Sequence, residues 1–336
     1  MAVSSTSHRN AGVKIRALTL REHSVKAFSY DQFGGAGVLH AANLPEPVAG
    51  TSDVVVAIEA RSINLIDIRV RSGMMGPLVN KRFPKVPGAD FAGTITAIGA
   101  NVKHLQVGER VFGAADPFKG GAFAELVAVP ESQVIKLPSE LSVSDAVTLP
   151  IAGLAALQSL RDLGGVTSGQ SVLIHGATGP VGLFAVQIAK YKGAYVTAVG
   201  GAGLETARLL GADVLIDYRS GKTVQKNGGF DVILNASGKM PYSRGKIFLK
   251  QAGRLIEPSP TIAVFIGSKL GNLFRRRKHL ALATQVRHSD LEYLARLVSE
   301  RAVKPVIAAT FAFSETLAAF AMVEGGGVIG KVVVTR

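Results

Sequence analysis

Two kinds of apolar pattern divide the chain. From Lys26 to about residue 138, short runs such as VKAFSY, DVVVAIEA, GTITAIGA, ERVFGA and AFAELVAVP are separated by Gly, Pro, Asn and Asp. That punctuation predicts a glycine-rich β domain with tight turns. Between Asp145 and Leu163 the apolar positions recur at helical spacing, with one proline near a boundary. Beyond them a buried strand SVLIHG (171–176) leads into a helix PVGLFAVQIAKYKG and a second strand AYVTAVG. A short helix LETARLLG and the strands VLIDY, FDVILNAS and GRLIEPS follow. Continuous apolar strands alternating with helices are what a parallel sheet covered on both faces requires. The tail changes again, with helices at Leu291–Ser299 and Ser314–Glu324 and strands at Pro305–Ala308 and GKVVVT. The pattern therefore predicts an α/β chain in which a doubly wound parallel-sheet domain is inserted into a β-rich one. The expected boundaries are an N-terminal extension at 1–25, the β-rich domain at 26–147 and again at 286–336, and the inserted domain at 148–285.

The turn after the first buried strand reads GATGPVG, with Gly176, Gly179 and Gly182 spaced by threes. Its place between strand and helix suits either a pyrophosphate cradle or a tight packing turn. In the cradle reading, glycines let backbone approach the anion, and free N–H groups of the first helical turn meet it along the helix dipole. Pro180 fits that first turn but has no N–H, so Gly179, Val181 and Gly182, flanked by Thr178, are the expected backbone contacts. The position that reads the ribose, just after the second strand, is Gly200–Gly201. No acidic side chain stands there, which favours NADPH and leaves NADH open. Arg208, Arg219 and Lys222 are the nearby cations available to a 2′-phosphate.

Composition narrows the chemistry. Of 336 residues, 47% are apolar and 18% charged, as in a folded globular chain. There is no cysteine, which removes disulfides, thiolate metal sites and cysteine nucleophiles. The seven histidines show no H-x-x-x-H spacing. No apolar run is long enough for a membrane span, and the Ser- and Arg-rich N-terminus lacks a secretory core, leaving a transit peptide or a plain extension. The expected location is cytoplasmic, with organellar or peripheral-membrane placement as alternatives. Net charge is +14, and residues 239–278 hold ten Lys or Arg against the single acid Glu257. That segment suits an anionic cofactor, an acidic partner or weak peripheral contact with a phospholipid surface. The absence of interleaved aromatics and of any recognition motif argues against nucleic acid.

Several ordered motifs then converge on a family. N-x-x-D-x-x-x-R-x-G at Asn64, Asp67, Arg71 and Gly73, PGADFAG at 87–93, VGERVFG at 107–113, GGAFAELVAVP at 120–130, LPIAGLAALQSL at 149–160, GADVLIDY at 211–218 and the ending KPVI…GKVVV resemble the zinc-free quinone oxidoreductase branch of the medium-chain dehydrogenase/reductase superfamily. Within it the chain looks most like the chloroplast-envelope members and their microbial relatives. The resemblance implies a Rossmann-type sheet domain inserted in a GroES-like domain, a homodimer, and NADPH-dependent reduction of a quinone or an α,β-unsaturated carbonyl without zinc. A catalytically weak nucleotide-binding sensor or membrane-associated partner is the alternative.

The same resemblance assigns Asn64 to the active cleft, where it would orient substrate or the nicotinamide amide, or else merely cap its helix. Asp67 is a second cleft residue or the partner of Arg71 four residues on. Tyr242 is a proton donor or a packing group. Tyr218 would lie near the adenosine or cover a sheet edge. Asn235, Ala236 and Ser237 match the loop that passes the nicotinamide, and Lys331 is either a cofactor contact or a charge at a strand start. Three departures from the family pattern bear on the cofactor. Thr178 and Pro180 stand in a loop that usually reads A-S-G-G-V-G, GGAG at 200–203 lacks the usual basic residue and asparagine, and Gly153–Ala156 lacks a hydroxyl.

Overall fold

The computed structural model describes residues 24–221, 223–225, 229–273 and 275–336. Most of the N-terminal extension and Lys222 therefore lie outside the described residues. Six parallel strands form one sheet, in the spatial order Val214–Asp217, Tyr195–Gly200, Ser171–His175, Phe230–Asn235, Leu249–Glu257 and Lys278–Ala281. Numbered along the chain this order is 3-2-1-4-5-6, the doubly wound arrangement whose crevice opens at the carboxyl ends of the two central strands. Val172, Leu173 and Ile174 of the first strand are fully buried, which explains its unbroken apolar run. The sixth strand is missing from the apolar pattern because it begins within the basic run, at Lys278.

The helix Pro180–Tyr191 follows the first strand. Gly179 is its N-cap and Pro180 its first residue. It ends on Gly193 in the left-handed region (φ +77°), where the Gly193 N–H donates to Lys190 O and the Ala194 N–H to Ala189 O. Those two bonds are a Schellman closure, and they supply partners for carbonyls the helix itself leaves open.

A second sheet runs Ile307–Ala312, Lys331–Thr335, Asp53–Ser62, Asp90–Ile98, Arg110–Ala114 and Val134–Lys136, with Leu126–Pro130 also paired to Asp53–Ser62. Its strands come from both ends of the chain. The C-terminal strand is antiparallel to Asp53–Ser62, through Val333–Ser62 and Thr335–Ala60. The chain rejoins this sheet only at Ile307, later than the expected 286. The intervening helix His288–Ser299 lies instead against Pro150–Gln158, where Leu291, Leu294 and Leu297 share a core with Leu154 and Leu157. Gly153 has no Cβ, and the space is taken by Leu294.

Gln187, buried on the glycine-loop helix, joins the two parts. Its Nε2 donates to Lys304 O at 3.0 Å and its Oε1 accepts from the Lys304 N–H at 2.7 Å. Gln187→Leu would leave both backbone groups of Lys304 without their side-chain partners. We expect a loss of about 2–4 kcal/mol of stability, read as a lower midpoint in chemical denaturation with an unchanged slope.

Candidate active site

The strand Asp53–Ser62 runs into a turn at Ile63–Asn64 and then into the helix Leu65–Arg71. The Asp67 carboxylate folds back to accept from the Asn64 N–H at 2.7 Å, which is one half of a capping box. Asn64 does not supply the other half with its side chain. Its Nδ2 donates to Asp90 Oδ2 at 2.7 Å, and its Oδ1 accepts from Lys331 Nζ at 2.7 Å. An ammonium on one side and a carboxylate on the other fix which way the amide faces. One Nδ2 hydrogen remains unused by these contacts.

Asp90 is completely buried at the start of its strand. Beyond Asn64, its Oδ2 lies 2.6 Å from Ser62 Oγ and 3.0 Å from Lys331 Nζ, and its Oδ1 accepts from the Ile151 N–H at 3.0 Å. Lys331, 1% exposed, also donates to Ile63 O at 3.2 Å. Its three donors are thus matched to Asn64, Asp90 and Ile63. It is a buried counter-ion and not merely a charge at a strand start.

Asp67 and Arg71 do not pair. Arg71 turns to Glu324 and lies over the Phe320 ring at 5.2 Å. Asp67 Oδ1 is buried with no hydrogen-bond partner. Burial first, and the neighbouring Asp90 charge second, raise its carboxyl from the ordinary 3.8 to about 7, against the opposing Asn64 N–H bond and the Lys331 charge.

The glycine loop adjoins this floor through the tail of the chain. Pro180 and Leu183 line a narrow gap with Gly330 and Lys331. Gly176 takes φ +87°, and a Cβ there would stand 2.7 Å from Ser237 N. A Cβ on Gly182 would stand 2.7 Å from Ala177 Cα. Both glycines are needed for packing between strand, helix and neighbouring loop. Gly179 differs, since a Cβ there would meet only Gly176 O, at 3.8 Å, and its surroundings are open. An open backbone turn at the N-terminus of a twelve-residue helix suits the phosphates of a dinucleotide.

Beside it, a Cβ on Gly200 would meet Thr178 Cγ2 at 2.8 Å, and one on Gly201 would meet the Tyr218 hydroxyl at 2.6 Å. The loop, the second-strand glycines and Tyr218 therefore form one contiguous surface. Asn235 and Ser237 meet the loop from the next strand, where Asn235 pairs with His175 and the Ser237 N–H donates to His175 O at 3.0 Å. Asn235 Nδ2 is held by Met240 O and Glu257, each at 2.9 Å. Ala236 lies between them, half-buried. Burial holds the His175 imidazole below its ordinary range.

Two expectations change. Tyr242 donates its hydroxyl to Arg277 O, and its ring stacks on His279 at 4.8 Å, so it is a packing group and not a proton donor. Arg208 and Arg219 are already paired, with Glu205 and Asp217. Sequence reading also missed Arg69, whose Nη1 reaches Ser259 O at 2.8 Å and Ser259 Oγ at 2.7 Å, tying the Asn64 helix to the loop after Leu249–Glu257. It did not assign Ser62 and Asp90 to the site either. A carboxylate within the apolar run PGADFAG was the available signal, because a buried charge must be partnered.

Residues 50–139 match the family model described as alcohol dehydrogenase GroES-like domain, and residues 210–334 the one described as zinc-binding dehydrogenase. The chain is 33% identical over 323 residues to the chloroplastic quinone-oxidoreductase QR1 of Triphysaria versicolor, covering 92% of this chain and 98% of that one. It is 30% identical to 2-methylene-furan-3-one reductase of Solanum lycopersicum, over 99% of this chain and 84% of that one. The solved quinone oxidoreductase from Coxiella burnetii superposes with a TM-score of 0.85 at 30% identity, covering 93% of this chain and 99% of that one.

Asp67 makes stability fall as pH rises. The unfolded carboxyl ionises near 3.8 while the folded one holds its proton to about 7, so the folded state binds more protons between those values. Asp67→Asn removes this dependence. The stability of Asp67→Asn relative to the parent should therefore climb from pH 4 to pH 7 and level off above, as followed by urea denaturation at stepped pH.

Proposed function

Because the chain belongs to the quinone oxidoreductase branch of the medium-chain dehydrogenase/reductase superfamily and is an NAD(P)H-dependent oxidoreductase, we propose that it reduces a quinone or the conjugated double bond of an α,β-unsaturated carbonyl, with NADPH and without zinc. The observation that carries this reading is the Asn64 amide, fixed by Lys331 and Asp90 with one N–H to spare, in the β-rich lobe adjoining the glycine loop. The reduced nicotinamide, when bound, supplies the hydride. Val181 and Gly182 offer first-turn N–H groups to the pyrophosphate, which Pro180 cannot. The spare Asn64 N–H donates to the substrate oxygen on which negative charge accumulates. Near neutral pH, Asp67 holds a proton in the same floor, on the Oδ1 that has no other partner.

The donor set suits this chemistry better than a metal. The chain has no cysteine, and among the described residues no three His, Asp or Glu side chains gather as ligands. The charge facing Asp90 and Asn64 is an ammonium, which repels a second cation. A homodimer is the assembly that the family resemblance favours. Among the described residues no helix is long and apolar enough to cross a membrane.

Oxidation of NADPH and of NADH, each followed against a panel of quinones, 2-alkenals and long-chain enones, tests the activity. We expect turnover with NADPH, and Asn64→Ala should lower kcat by about a hundredfold with little change in cofactor KM. Cofactor binding without turnover of any acceptor would favour the sensor reading instead.

Cofactor choice should be shallow. The Arg219–Asp217 pair is exposed and contributes little to stability, so the guanidinium can exchange its carboxylate for a 2′-phosphate. Arg219→Ala should raise KM for NADPH about two- to fivefold and leave KM for NADH unchanged, and Asp217→Asn should lower KM for NADPH.

A further inference from the structure

Several surface cations are paired with a carboxylate. Lys136 pairs with Glu109, Arg161 with Asp162, Lys190 with Asp213, Lys250 with Asp231 and Arg287 with Asp162. Arg275, Arg276 and Arg277 are different. Among the described residues none of the three forms an ion pair, although they are consecutive and partly or fully exposed. They line an open cleft of about 290 Å³ with Tyr242 and Gln251.

The cleft has a rigid wall. Tyr242 is held between Arg275, whose guanidinium lies 4.6 Å from the ring centre, and His279, stacked at 4.8 Å. Its hydroxyl binds the Arg277 carbonyl, which fixes the backbone of the arginine run. Arg277 Nε also reaches Lys250 O at 3.3 Å. Arg275 Nη1 is buried without a hydrogen-bond partner, a costly condition for a charged donor. Three consecutive arginines and an amide around one cleft suit a ligand rich in anionic oxygens. Arginine forks match phosphate geometry, and a compact dianion or polyanion meets several of them at once.

We propose that this cleft is a binding site for a phosphate-bearing anion, separate from the glycine loop. Such a ligand would be a soluble phosphate ester or diphosphate, or the headgroup of an anionic lipid; both present the same oxygens. The wall of the site is joined to the cofactor crevice. His279 faces Glu257 at 3.6 Å, and Glu257 holds the Asn235 amide at 2.9 Å, at the carboxyl end of the central strand. Occupancy that shifts Tyr242 would therefore be felt in the loop Asn235–Ser237.

The test uses the full chain at constant ionic strength. Pyrophosphate and inorganic phosphate are titrated by calorimetry, and flotation is measured with vesicles of phosphatidylcholine alone or mixed with phosphatidylglycerol. Arg276→Gln serves as the main variant, because Arg276 is exposed and unpaired and its loss should leave the unliganded melting temperature unchanged. Arg275→Gln is the second. Saturable pyrophosphate binding that weakens roughly tenfold or more in both variants supports the site with a soluble ligand. Binding only to phosphatidylglycerol vesicles, weakened in the same variants, supports it with a lipid headgroup. Pyrophosphate binding untouched by either substitution belongs to the glycine loop and overturns the proposal, as does an absence of saturable binding to any of the probes.

Discussion

The geometry of this molecule hangs on one buried carboxylate. Asp90 takes donors from four places in the chain: Ser62 at the end of a strand, Asn64 in the turn after it, Lys331 at the start of the C-terminal strand, and the Ile151 amide in the first turn of the helix Pro150–Gln158. A carboxylate removed from water is tolerated only when its oxygens are matched by donors and charge. Meeting that requirement here fixes the β-rich sheet against the helix that opens the inserted domain. Strands from opposite ends of the chain are brought to the same point because Lys331 and Ser62 are both needed there.

From that point the position of the glycine loop follows. The residues before Lys331 lie against the inserted domain, with Ile329 packed where Gly203 has no side chain and Gly330 beside Pro180. Gln187 then holds the strand approach at Lys304 through two hydrogen bonds. The glycine loop thus has one closely packed side and one open one. Gly176 and Gly182 serve the closely packed side, and Gly179 faces the open one. Packing accounts for Gly176 and Gly182, and Gly179 is the residue of GATGPVG left open for the proposed cradle.

What could be read in the sequence was whatever repeats locally. The buried strands, the helix beginning at Pro180 and the order of sheet and helix were carried by runs of apolar residues and by Gly and Pro at their ends. The strand at Lys278 escaped because its first residues look like a solvated charge run, and a tertiary neighbour, Leu249–Glu257, supplies the pairing. Of the polar cluster, the sequence singled out Asn64, Asp67 and Lys331 but neither Ser62 nor Asp90, and none of the connections showed. Sequence left Asn64 between a cleft residue and a helix cap because it shows only near neighbours, whereas the side-chain amide is claimed by residues 26 and 267 positions away. Arg71 looked like a partner for Asp67 at helical spacing and is drawn off by Glu324, 253 positions away. In both cases a long-range partner displaced a plausible local one.

The imbalance between Asp67 and Asp90 is where this arrangement becomes chemistry. Two carboxylates share a neighbourhood with one ammonium, and the ammonium donates to Asp90. Asp90 also collects a hydroxyl, a side-chain amide and a main-chain N–H. Asp67 is served by Asn64 alone, and its Oδ1 is buried without a partner. Each pair of carboxylates placed in unequal surroundings separates in acidity, and the poorly solvated member keeps its proton. Asp67 therefore carries a proton at a pH where an exposed aspartate has none, within three residues of an amide whose orientation is fixed by the very groups that left Asp67 unsatisfied. The same competition for donors that locks the lobes together also leaves Asp67 protonated beside Asn64.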